Sequence, residues 1–139
     1  MAPIQSFLFS MKSLSPMIAA TFFLLFTVYI LAKDGQPMKN SWLFPATLSL
    51  LFFLFSCDAI VSEGLLGFWI EHTRNLGGNQ IWFDLLLGVG IGWALVVPQA
   101  KAVGMRLYIW LVLIVSTGSI GFLAMIARLL YLQERAEDV

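Results

Sequence analysis

Three charged residues stand inside apolar runs of this sequence, and they are the natural starting point for any chemistry. Asp58 follows LFFLFSC, Asp84 opens the run DLLLGVGIGW, and Arg128 closes the run that begins at Leu107. Glu63, Glu71, His72 and Arg74 follow within a short polar stretch. Two carboxylates and a guanidinium at membrane depth could relay a proton or anchor a polar ligand, because a carboxylate in hydrocarbon is costly unless paired or turned inward. A raised carboxyl pKa at that depth also suits general acid or base work on a lipid-soluble substrate. The plainer readings stand beside these. Asp84 in a first helical turn complements the helix dipole, Arg128 near a helix end snorkels to the headgroups, and Asp58 is the hardest of the three to explain so simply.

Metal and haem chemistry have little to rest on. His72 is the only histidine and Cys57 the only cysteine, and no second ligand stands at metal spacing from either. His72 is therefore a weak metal or pigment candidate. The sequence also lacks the short motifs of serine hydrolases, zinc proteases, phosphate loops and dithiol redox sites. Catalytic residues and cofactors are accordingly assigned as none, while contact with lipid or pigment stays open.

The elements that would position these charges follow from composition. The 139 residues are 60% hydrophobic and 12% charged, with twelve Phe and a mean hydropathy of +0.88. Such a chain belongs in a bilayer, whose core is crossed by roughly 20 helical residues. The expected fold is an all-α integral membrane protein in a single domain, 1–139, with four transmembrane helices over about 16–32, 41–61, 81–97 and 107–132. Short polar turns at Lys33 to Asn40 and Lys101 to Arg106 arrange these as two antiparallel hairpins. Gly64 and Gly67 suit a bend after the second helix, leaving a short interfacial or re-entrant piece over about 64–71. Ser41 and Asn79 are the expected caps of helices two and three. The first apolar run is long for a signal peptide and lacks a clear small-x-small cleavage site, so it reads as a span.

Two hairpins place the end of helix two, the start of helix three and the end of helix four at one face. On that arrangement Asp58, Asp84, Arg128 and Glu63 form one polar cluster. Asp84, Gly88 and Gly92 share a face of helix three, and Gly118 and Gly121 belong to a small-residue patch on helix four; both are expected helix-packing surfaces. The basic residues divide evenly between the two faces on this scheme, with a slight lean to both termini outside. No basic patch capable of meeting phosphates is present, which excludes nucleic-acid partners.

From about Asn79 onward the sequence resembles a family of small uncharacterised bacterial multi-pass membrane proteins, a domain of unknown function. The resemblance rests on WFDLLL around Asp84, on Gly104 to Arg106 (GMR) followed by Trp110, and on the closing LLYLQER. It implies a bacterial inner-membrane location and no particular activity. The leading functional expectation is a non-enzymatic accessory or assembly subunit that binds a larger membrane complex through its helix faces, with the lipid bilayer and other membrane polypeptides as partners. The alternatives are a small transporter or hydrophobic-ligand-binding protein using Asp58, Asp84 and Arg128, and then a membrane enzyme acting on a lipid or isoprenoid.

Overall fold

The structure is a computed structural model that describes the backbone of residues 2–32 and 39–137, and side chains from residue 12 onward within those ranges except at 30. Most of the expected turn at Lys33 to Asn40 lies outside the described residues. All regular structure among the described residues is helical: α1 (Ala2–Ala32), α2 (Leu43–Glu63), α3 (Gly67–Thr73), α4 (Leu76–Ala102), α5 (Leu107–Thr117) and α6 (Ser119–Glu137). Three of these contain stretches long and apolar enough to cross a membrane, namely Lys12–Tyr29, Leu43–Glu63 and Leu76–Ala102. Their side chains are largely exposed, so their apolar surface faces outward rather than into a core.

Met1–Pro37 and Met38–Val139 form separate units. The first is α1, which begins well before the apolar run and carries Pro16 in its interior. Its Thr21 and Thr27 hydroxyls donate back to the carbonyls of Met17 and Phe23, which lets polar side chains sit in an apolar helix without an unmet donor.

In the second unit the chain breaks at glycines that supply backbone angles closed to other residues. Gly64 ends α2 at φ +84°, and its amide donates to the Ile60 carbonyl. Asn75 rather than Asn79 caps α4, its side-chain oxygen accepting from the Gly78 amide at 2.8 Å. Gly77 and Gly78 lie inside the first turn of α4. A side chain on Gly78 would meet the His72 carbonyl oxygen at 2.9 Å, so the missing Cβ is what lets α3 end directly against the first turn of α4. Phe68 and Trp69 of α3 then pack on Trp82 of α4, with ring centroids 5.3 and 6.0 Å apart.

The largest departure from expectation lies between Leu107 and Leu132. One long helix is expected there; instead α5 and α6 meet at Gly118, whose φ of +62° and ψ of −125° turn the chain back on itself. A Cβ on Gly121 would stand 2.7 Å from the backbone carbonyl of Leu113, eight residues earlier. In a continuous helix those residues would be about 12 Å apart along the axis. The Thr117 hydroxyl fastens the reversal, donating to the Leu113 carbonyl at 2.6 Å and accepting from the Gly121 amide at 2.9 Å. At the open end of this hairpin Gln133 of α6 reaches Gln99 of α4 at 3.4 Å.

The reversal sets the direction of every helix around α6. Asn40 and Trp42, just before α2, and Ser49 within it meet Glu134, Tyr131 and Ile120 respectively, so α2 runs antiparallel to α6. Gly92 of α4 meets Phe122 while Gln99 meets Gln133, so α4 and α6 run parallel. A small core of Ala100, Ile114 and Met125 joins α4, α5 and α6, with Val89, Trp93, Val96, Trp110 and Phe122 packed against it.

Candidate functional site

Two grooves of the second unit flank α6. The larger, about 650 Å³, lies between α2 and α6 and is lined by Trp42, Leu50 and Phe53 on one side and Ala124, Arg128 and Tyr131 on the other. Its floor is held by Ser49, whose hydroxyl donates to the Ile120 carbonyl at 2.9 Å. Small side chains, Ala46 on α2 and Ala124 and Ala127 on α6, leave the space open. At its mouth Trp42 stands edge-on to Tyr131 with centroids 5.5 Å apart. The guanidinium carbons of Arg128 and Arg135 lie 5.5 and 5.1 Å from the Tyr131 ring centroid, within the range of cation–π attraction.

The smaller groove, about 370 Å³, lies between α4 and the hairpin tip. Asp84, Leu85, Gly88 and Val89 line one wall, and Ser119 and Phe122 the other. Asp84 therefore shares a groove with the first residue of α6, near the end where amide hydrogens are unpaired and a carboxylate is favoured.

The expected cluster of Asp58, Asp84, Arg128 and Glu63 is not assembled. Asp84 lies beside the hairpin tip and Arg128 some nine residues further along α6, about 14 Å by helical rise, on a different groove. Expectation placed the end of helix four beside the end of helix two; the turn at Gly118 sends it instead to the start of α2 and the end of α4. Asp58 is exposed near the end of α2, with no hydrogen bond or ion pair among the described residues. Glu63 is the last residue of α2, about 7 Å beyond it by helical rise.

The four expected helix-packing glycines have different surroundings. Gly92 accepts the edge of Phe122, and a Cβ there would stand 2.7 Å from the ring. Gly121 receives the Leu113 backbone, and Gly118 is the turn itself. Gly88 has no atom within 4 Å of where its Cβ would be. His72 lies in the last turn of α3, with Nδ1 2.8 Å from the Phe68 carbonyl oxygen and its ring centroid 4.1 Å from that of Phe68. Beside it Arg74 and Glu71 form an exposed ion pair at 2.9 Å. Among the described residues no three of His, Cys, Asp and Glu converge in a way that could hold a metal ion.

The sequence reading did not single out Thr117, Tyr131 or Arg135 for the parts they play here. The spacing of Arg128, Tyr131 and Arg135, three and then four residues apart, puts all three on one face of a helix and was a readable signal. Comparison with known protein families, with characterised proteins and with solved structures returns no match to this chain.

Proposed function

We propose that this chain is a non-enzymatic integral membrane protein that serves as an accessory or assembly subunit and docks on a larger membrane complex through α4. The observation that carries the reading is a pair of open glycines. Gly88 and Gly90 lie on different sides of α4, and neither has an atom within 4 Å of its Cβ position. A glycine inside a helix costs about 0.5–1 kcal/mol relative to alanine, a cost offset where another backbone comes close. Phe122 supplies that neighbour at Gly92, and a helix of another polypeptide supplies it at Gly88 and Gly90.

In this reading α2 and α4 cross the bilayer, α3 lies at one interface through Phe68 and Trp69, and the α5–α6 hairpin enters and leaves on the same side. The four-span scheme is replaced by spans plus a re-entrant hairpin. Sidedness then no longer ties. Lys39, Lys101, Arg106, Arg128 and Arg135 fall at the end holding the start of α2 and the close of α4 and α6, while Arg74 is the only Lys or Arg of residues 39–137 at the other. The basic end is cytoplasmic by the positive-inside rule, which reverses the earlier lean for the C-terminus. A bacterial inner membrane is the proposed location.

Mild-detergent extraction from the native membrane tests the subunit role. A co-purifying membrane polypeptide is expected, and Gly88→Leu or Gly90→Leu should release it without lowering the melting temperature of the chain itself. Migration as a lone monomer, with no polypeptide attached, would sink the idea. A second reading, cation or proton handling, draws on Asp84 beside Ser119 at the hairpin tip. Asp84→Asn separates the two: it should leave a subunit's complex intact but abolish transport in proteoliposomes.

A further inference from the structure

The geometry points to the α2–α6 groove as a binding site for one anionic phospholipid, with an acyl chain lying between the helices and the phosphate at Arg128. It rests on the membrane-embedded reading but not on the subunit role.

The groove has the shape of half a bilayer. From Trp42 to Phe53 it extends about 16 Å along α2, close to the roughly 15 Å depth of one leaflet's hydrocarbon. Its walls are apolar along that length. Ser49 meets its own hydrogen-bonding need on the Ile120 carbonyl, so it adds no unmet donor to the chain's path. The polar groups are gathered at the mouth, where Trp42 and Tyr131 mark the interface and Arg128 is exposed on the rim.

Charge selects the headgroup. Arg128 and Arg135 both reach the Tyr131 ring, at 5.5 and 5.1 Å from its centroid, which gathers two guanidinium groups around the aromatic side chain at the groove's mouth. The same end of α6 carries the carboxylates Glu134 and Glu137, and one oxygen of Glu134 already accepts from the Asn40 amide at 2.7 Å, just before α2. Its other oxygen is enclosed and meets no donor among the described residues. The same end also carries Lys39, Lys101 and Arg106. A guanidinium is a bidentate partner for phosphate, which a zwitterionic headgroup offers with its charge already partly met by its own amine.

The probe is phosphatidylglycerol against phosphatidylcholine, presented in equal amounts in vesicles holding the whole chain, with retained lipid read by native mass spectrometry after detergent extraction. The wild-type chain should keep one phosphatidylglycerol in clear preference. Arg128→Gln should lower that preference about fivefold, and Arg74→Gln at the opposite end should not change it. Ala46→Phe, which fills the groove, should reduce retention of both lipids. Thermal melting of each variant in detergent shows whether the fold persists. Equal retention of the two lipids, or an unchanged preference in a folded Arg128→Gln, overturns the proposal. So does a photo-crosslink from position 50 to another polypeptide instead of lipid, because the groove then seats a partner helix. Release of the chain from membranes by alkaline carbonate would instead defeat the membrane reading itself.

Discussion

Helices α4 and α6 run side by side in the same direction and obey opposite rules. α4 is the greasier and the more exposed, with Leu87 at 64% and Leu95 at 67% of their free area. α6 carries Arg128, Gln133, Glu134 and Arg135, yet it holds Met125 at 0% and Leu129 at 3%. In water this would be an inverted molecule. In lipid it is the expected outcome, because moving a leucine from acyl chains into a protein interior brings little hydrophobic gain, and helices associate where small residues allow close packing. α6 is central because Gly121, Ala124 and Ala127 let α5 and α2 come near, and its polar residues collect toward its C-terminal end.

That comparison can be broken by substitutions of graded effect, read as unfolding free energy in detergent. Met125→Ala should cost the most, about 2–5 kcal/mol, because it empties a large, fully enclosed side chain of the core. Gly121→Ala should follow at about 1–3 kcal/mol, since the added methyl meets a backbone carbonyl that cannot swing aside. Gly118→Ala should cost about 1–3 kcal/mol through backbone strain alone, with open space around the new methyl. Leu95→Ala on α4 should stay within about 0.5 kcal/mol, as for an exposed site. A Leu95→Ala cost matching that of Met125→Ala would show that α4 is covered within the folded chain, and the contrast would fail. A labelling experiment sharpens the topology. In a Cys57→Ser background, cysteines at 104 and 136 should react from the same side of the membrane, where a straight fourth span would separate them.

Hydropathy made the helices legible and concealed the reversal. The run from Leu107 to Leu132 has the length and greasiness of a span, and nothing in its average distinguishes a crossing from a hairpin. Gly118 was visible only as one more small residue, because a glycine that packs and a glycine that turns look alike until the backbone angle is known. The error propagated: the site joining Asp58, Asp84 and Arg128 assumed that helix four continued straight, and the turn sends Arg128 to the other end. Gly64 was easier to read, since Gly67 and a polar stretch follow it. Asn79 lost its expected capping role to Asn75 because α4 begins earlier, at Leu76, with Gly78 in its first turn admitting the His72 carbonyl.

The hairpin tip also bears on how such a chain enters a membrane. Between Leu107 and Ala127 there is no charged residue, and the hydroxyls of Ser116 and Thr117 are already bonded to the Val112 and Leu113 carbonyls. A segment of this kind can be pushed into hydrocarbon as a folded pair without carrying any charge across. In the re-entrant arrangement proposed above, the arginines and glutamates of the C-terminal end stay on the side where they were synthesised, so α5 and α6 can be added after the spans are in place without translocating another loop.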